Sequence, residues 1–531
     1  MNEARPPWRI LGIFGLVALV ARAGAALLVN EPPYLDPAYY ELVARRLVAG
    51  DGFSVPVLWS FLEVGGRLPI NPELPLASNG HWMPLTSIVS AGALVLFGPS
   101  HLAAELPMIL LGSALVPVTG FVGWMLWPSR RIAVVSMVLA LFAGPMLLYV
   151  PMADSFALFG MAGTVGVLCS VMAVRSAQGG PWLLGAGAAI ALATLTRVDG
   201  LLLVAAPATA WLVRWGWGPW RTALPQIGIG WAVAGAITGA AILSPWLIRQ
   251  WLVFGSPFPS AGGHTLWIRS YNEQFSIGHR VDLGTYLSWG PVNIIGSKLV
   301  SWVQLIGRTA VLLGGVFVFS FLYGLWHERR RAELAPFIVY FCLLFVVMGG
   351  LFTFHAPQGA YYHSAWAWLP FAIPVAVASF EPGLRALGRR WPLFGRERNI
   401  RFLLTAGVAG AIVLSLIGSA ALRAEWTAGR SRVETAAAFL TTGAGPTDVA
   451  MYVDPPSLHL LTGNPVVAPP FDPPDVIEEA ARAYGVRWLV LERQPGIEED
   501  ALGLWAGAEW LGTEPVLDEN NIRIYEVEVT E

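Results

Sequence analysis

In three places, ionisable side chains stand at the ends of long apolar runs. The first is Tyr34-Leu35-Asp36-Pro37-Ala38-Tyr39-Tyr40-Glu41, a few residues beyond the run 10–29. The second is Asp154, just after the run 132–150. The third is Arg197-Val198-Asp199, between the runs 181–195 and 200–213. A carboxylate in such a place can take the proton of an acceptor hydroxyl as it attacks an electrophilic carbon. A guanidinium can neutralise a phosphate. Charges at the edge of hydrocarbon are costly, so they face a polar cavity or each other. Each place also has a plainer reading. Asp36 stands before a helical pattern in which Pro37 opens and Ala38, Leu42, Val43 and Leu47 recur until Gly50 and Gly52, and this makes Asp36 an N-cap. Asp154 reads as a cap or a solvated loop residue. Arg197 and Asp199 read as a simple ion pair formed across a turn, because residues two apart do not face each other along a helix.

Weaker candidates surround these. Glu63 and Arg67 lie in the first loop, which closes on His81-Trp82-Met83-Pro84-Leu85. His264, Arg269, Glu273, His279, Arg280, Asp282 and Lys298 fall in the polar loop after the run 225–248. His355, Tyr361, Tyr362 and His363 follow the run 334–354. His81, His264 and His355 lack metal-ligand spacing, so no residue is assigned to a metal. The tryptophans, Trp215, Trp217 and Trp220 among them, read as interface anchors. Cys169 and Cys342 lie inside apolar runs and read as core residues.

The elements that must position these residues follow from composition. Of 531 residues, 55% are hydrophobic and 13% charged, against about a quarter charged in a water-soluble chain. The apolar residues come in runs near the ~20 needed to cross about 30 Å of hydrocarbon. Inside lipid such runs are helices, since every backbone polar group must be satisfied within the segment. The run 10–29 is too long for the apolar core of a signal peptide and is read as an uncleaved first span. Arg5 and Arg9 before it put the N-terminus on the cytoplasmic side. The short apolar stretch Met83–Phe97 is read as an interfacial helix, because a span there would put Arg130 and Arg131 outside. Further spans are then expected at 103–127, 132–150, 155–174, 181–195, 200–213, 225–248, 303–325, 334–354, 365–380 and 402–422. With these, Arg130-Arg131, Arg175, Arg214 with Arg221, Arg329-Arg330-Arg331 and Arg385 to Arg401 all face the cytoplasm. The two short spans around Arg197 could be half-helices meeting at a membrane-depth break.

After residue 422 the pattern changes. Glu434–Leu440 and Pro473–Tyr484 are helical in period, while Asp448–Val453, Val486–Glu492 and Ile522–Val527 read as strands. The expected fold is mostly α: a bundle of about eleven spans (1–422, with a first outer loop at about 30–102) and a small extracytoplasmic α/β domain (423–531).

Read in order, these features resemble the GT-C superfamily of membrane glycosyltransferases. The closest likeness is to the protein O-mannosyltransferase and lipid A aminoarabinose or galacturonic acid transferase branch. The likeness rests on Asp36-Pro37-Ala38-Tyr39-Tyr40 after the first span, His81 to Leu85 closing the first loop, the turn Phe97-Gly98-Pro99-Ser100, and Asp154 after the third span. It covers roughly the first 210 residues by motif and the rest by topology. It implies an inverting transfer from a polyprenyl-phosphate sugar to a lipid, glycan or protein acceptor on the outer face of the plasma (inner) membrane, with no nucleic acid partner. By the same likeness Asp36 is the general base, or helps position the acceptor, and Asp154 shapes its surroundings. Arg197 with Asp199 would meet the lipid phosphate, and Glu63, His81, Lys298, Tyr362 and His363 would add contacts. The Tyr361-Tyr362-His363 stretch is less basic than the family's versions. Related oligosaccharyltransferases hold a divalent cation near the second acid. This chain has one Asp there rather than a pair, so no cofactor is assigned, although a divalent cation remains compatible. Two other classes stay open: a transporter or flippase of a lipid-linked saccharide, motivated by the break at Arg197–Asp199, and a scaffold acting through its C-terminal domain.

Overall fold

The computed structural model describes residues 5–216, 225–354, 359–493 and 514–527. His355, Trp217, Trp220 and Arg221 lie outside the described residues. The chain is a multi-pass helical membrane protein with a small sheet built largely from its C-terminal part. Eight described helices are long and apolar enough to cross a membrane, or nine if one bent pair is a single span.

That pair corrects the expected span 303–325. The chain there forms Pro291–Leu312 and Phe317–His327, bent by 103°. Gly314 and Gly315 make the break at φ 70° and 76°, which a residue with a Cβ rarely adopts. A Cβ on Gly314 would also collide with Ala411. Lys298, expected in a loop, lies on the first of these helices. The expected span 132–150 is broken too: Arg130–Leu141 is only 12 residues long and leads through a short turn of helix, Met146–Tyr149, to Asp154.

The inner helices approach closely where side chains are small. A Cβ on Gly160 would collide with Trp366, and one on Gly163 with Ala367, so Ser155–Arg175 and Ala365–Gly388 meet backbone to backbone. Thr164 ties them, its hydroxyl donating to the Trp366 carbonyl at 2.8 Å.

The arginine-rich turns gather at one end of the bundle. Arg175 donates to Met125 O at 2.7 Å, and Arg331 to Leu126 O at 3.0 Å. Arg131 lies 3.7 Å from Glu381, and Arg214 donates to the Ala173 and Ala177 carbonyls at 2.8 and 2.7 Å.

Helix Glu397–Gly443 is 47 residues long, about 70 Å at 1.5 Å per residue. Residue 422, where the sequence pattern divides the chain, lies inside it without a break. The helix delivers the chain to a six-stranded sheet whose order is Val57–Leu58, Val466–Val467, Val449–Met451, Val486–Glu492, Ile522–Glu526, Leu517–Glu519. The first strand belongs to the first loop and runs parallel to Val466–Val467. Tyr39, Tyr40, Trp59 and Trp82 of the N-terminal part share one buried cluster with Val433, Leu440, Val466 and Trp488. The first loop, the helix that carries Asp36 and the C-terminal segment therefore pack as one body.

Candidate active site

Four chain breaks at the end of the bundle away from the arginines supply a cluster of charged groups. Helix Leu35–Ala49 starts one residue before Asp36, so Asp36 sits in its first turn and is not the N-cap; Tyr34 holds that position without a side-chain cap. Pro37 is tolerated there because the first four N–H groups of a helix have no partner within it. Asp154 does cap a helix, accepting from the Ser155 N–H at the start of Ser155–Arg175. His363 ends the turn Tyr361–His363 just before the helix Ala365–Gly388. Arg197 caps the C-terminus of Gly180–Thr196, and Asp199 lies in the 3₁₀ turn that follows.

Asp36, Asp154 and His363 each present a ligand-type atom, and these atoms all lie within 4.8 Å of one another. His363 Nε2 is 3.9 Å from Asp36 Oδ2, and its Nδ1 is 3.4 Å from Asp154 Oδ1 and 2.9 Å from Ser155 Oγ. The imidazole stacks on Phe156 at 3.9 Å between centroids, which fixes the ring plane. Asp154 is fully buried and accepts from Tyr34 Oη at 2.8 Å and Ser155 Oγ at 3.1 Å. Asp36 keeps 31% of its side-chain surface open, so of the two carboxylates it is the one a second molecule can reach.

The two acids are held apart in proton affinity. Burial, then the charge of Asp154, pushes the Asp36 carboxyl up to about 6, against the opposing pull of His363 and Arg197. Burial would raise Asp154 as well, but His363 and the hydrogen bonds from Ser155 and Tyr34 outweigh it and hold that carboxyl below its ordinary value. Two nearby carboxylates whose surroundings separate them in this way are suited to different roles.

Arg197 Nε donates to Asp199 Oδ1 at 2.9 Å, the ion pair expected across a turn. Asp199 also accepts from Ser364, the residue after His363, so the pair is tied to the cluster. Tyr362 turns aside from its neighbour His363 and lies under the Arg308 guanidinium, 4.5 Å from the ring centroid. Arg308 is a group the sequence reading passed over. Its signal was a lone arginine inside the apolar stretch 303–325, and no carboxylate lies within ion-pair distance of it among the described residues.

The other candidates serve elsewhere. His81 is wedged between Trp59 and Trp82 at 4.9 and 5.0 Å between centroids. Glu63 packs against Gly80 in the first loop, where burial pushes its carboxyl up to about 8. Lys298 donates to Leu351 O at 2.7 Å and Thr353 Oγ1 at 2.9 Å. Arg269 pairs with Glu273 at 2.7 Å, and Asp282 caps a short helix. His279 approaches Asp472, which is buried and clasps the loop by accepting from Ser276 Oγ and Ile277 N, both at 2.6 Å, and from Gly278 N at 3.1 Å. Tyr271 of this clasped loop lies close enough to Asp36 to feel its charge.

No family model matches the chain, and no curated protein matches it by sequence. Solved structures do. ArnT from Cupriavidus metallidurans bound to undecaprenyl phosphate superposes with a TM-score of 0.59 at 15% identity, covering 98% of each chain. The Archaeoglobus fulgidus oligosaccharyltransferase in complex with Zn and sulfate matches with a TM-score of 0.57 at 13% identity, over 94% of this chain and 69% of that one. The oligosaccharyltransferase AglB from Archaeoglobus fulgidus, in complex with an inhibitory peptide and a dolichol-phosphate, gives a TM-score of 0.53 at 14% identity over 93% of this chain and 71% of that one. Over nearly its whole length, the chain has the fold of ArnT and of the archaeal oligosaccharyltransferase.

Proposed function

We propose that the chain is an inverting membrane glycosyltransferase that moves a sugar from a polyprenyl-phosphate donor to an acceptor hydroxyl at the outer face of the plasma membrane. The observation that carries this reading is the meeting of Asp36, Asp154 and His363 from three distant parts of the chain at the end opposite the arginines. Arginine-rich loops tend to face the cytoplasm, which supports an exterior position for the acid end. The neighbours solved with undecaprenyl phosphate and dolichol-phosphate support the donor class.

In this mechanism Asp36 takes the acceptor O–H proton while the oxygen forms a bond to the anomeric carbon. The bond from that carbon to the phosphate oxygen breaks on the opposite face, and the polyprenyl phosphate leaves as an anion. A carboxyl with affinity near 6 is a stronger base than an ordinary aspartate and is still ionised at neutral pH. Asp154, kept ionised, holds the His363 ring and raises Asp36. The leaving phosphate needs positive charge rather than a proton. Arg308 has no acid within ion-pair distance among the described residues, and Arg197 adds field from across the Asp199 pair. Two carboxylates and an imidazole also suit a divalent cation such as zinc, which Asp36, Asp154 and His363 would hold and which would neutralise the paired acids.

The test is a transfer assay on the purified chain with a panel of polyprenyl-phosphate sugars, scored by mass spectrometry for freed polyprenyl phosphate and glycosylated acceptor. Release coupled to acceptor modification is expected. Movement of intact donor across vesicle membranes with no cleavage would assign the chain to transport instead.

A further inference from the structure

At the arginine end, about one membrane thickness from the acids, lies a groove of about 650 Å³ between helices Arg130–Leu141 and Glu397–Gly443. The distance follows from the long helix. Its Trp426 packs on Tyr34, which donates to Asp154, while Arg401 lies 25 residues earlier, about 38 Å at 1.5 Å per residue. Arg131 and Arg401 stand at the mouth of the groove, and Val135, Leu404, Val408 and Ile412 line its length. The spacing 401, 404, 408, 412 is one face of a helix. Arg401 to Ile412 spans about 17 Å, roughly half of the ~30 Å hydrocarbon layer, so the groove runs from headgroup level to near the midplane of the bilayer, the depth of one leaflet.

The charge around the mouth is one-sided. Leaving Arg389 and Arg390 aside, residues 130–131 and 381–401 hold six arginines against Glu381 and Glu397. Those two acids are shared: Glu381 lies 3.7 Å from Arg131 and 2.6 Å from Arg385, and Glu397 lies 3.1 Å from Arg401 and 3.4 Å from Arg385. Arg131 is 50% and Arg401 72% exposed, and ion pairs so open to solvent are weak and exchangeable. We propose that the groove is a binding site for an anionic glycerophospholipid of that leaflet. Its phosphate sits between Arg131 and Arg401, and one acyl chain lies along Leu404, Val408 and Ile412. A zwitterionic lipid would fill the same groove but bring a cation into a field that is already positive.

The experiment is native mass spectrometry of the delipidated full chain with phosphatidylglycerol and phosphatidylcholine of matched acyl chains. Phosphatidylglycerol is expected to be retained about 20-fold better, and Arg131→Gln with Arg401→Gln to remove that preference. Ala409→Trp, which fills the groove and keeps both arginines, is expected to lose the bound lipid, and it carries the test if the arginine variant misfolds. Arg389→Gln with Arg390→Gln removes the same charge outside the groove and should leave binding intact. Equal retention of the two lipids, unchanged preference in the groove variants, or an equal loss in the Arg389/Arg390 variant overturns the proposal. So does displacement of phosphatidylglycerol by an equimolar amount of undecaprenyl phosphate, which would make the groove a donor-lipid site.

Discussion

The two ends of the bundle are built by opposite rules. At one end the charges come in short local runs, are mostly exposed and are predominantly positive, and several of their hydrogen bonds go to helix-terminal carbonyls such as those of Met125 and Leu126. At the other end they come from residues as far apart as 36, 154, 197 and 363, are mostly buried, and are of both signs. Surface charges cost little and set orientation in the membrane. Buried charges are expensive unless each is held by partners, and here Tyr34, Ser155, Phe156 and Ser364 do the holding. The difference teaches where substitution should be costly: a like change should be nearly silent at the arginine end and severe at the acid end.

The largest effect is expected from Asp36→Asn, which keeps the shape and removes the proposed base. Turnover of a polyprenyl-phosphate sugar should fall about 10²–10⁴-fold in steady-state assays while the protein purifies normally. Turnover within threefold of the unaltered chain would break the contrast at its strongest point. His363→Ala should cost about 10²-fold. It removes the imidazole 3.4 Å from Asp154 and undoes the stacking on Phe156. Next is Arg308→Gln, expected to lower kcat/KM about 10–100-fold, the worth of a charged hydrogen bond, with weaker product inhibition by free polyprenyl phosphate. A smaller loss, less than about tenfold, should follow Asp472→Ala. That change releases the loop carrying Tyr271, and limited proteolysis should show faster cutting between residues 265 and 282. At the other end, Arg389→Gln with Arg390→Gln should leave turnover unchanged.

The same contrast explains what could be read in the sequence. The arginine end is legible because its charges are local and repeat at every second turn of the chain. Strands Val486–Glu492 and Ile522–Glu526 were legible because a run of apolar and β-branched residues is itself the cause of a strand. The acid end was legible only in part. Asp36 and Asp154 stood out beside apolar runs, but their approach to His363 depends on how three helices pack, and no spacing encodes that. Arg308 looked like one more residue of a span. The strand Val57–Leu58 was missed because two residues carry no period, and it exists only because Val466–Val467 offers an edge. The break at Gly314-Gly315 was missed because the apolar pattern continues through it.

The raised affinity of Asp36 also has a cost that follows from linkage. A carboxyl lifted from 3.8 to about 6 binds its proton more tightly in the folded chain. Its contribution to stability is full below about 4 and is lost as pH climbs through 6, the interval in which the carboxyl becomes ionised. The chain gives up stability there as the proposed base gains its charge.

The most direct test is the pH dependence of kcat/KM in the presence of EDTA, for the unaltered chain and for Asp154→Asn. The unaltered chain should gain activity as pH rises, with its inflection near 6. Removing the Asp154 charge takes away one of the two causes of that rise, so the residual activity of the variant should inflect at lower pH. An inflection that stays where it was, or moves upward, would contradict the assignment of Asp36 as the proton acceptor beside an ionised Asp154.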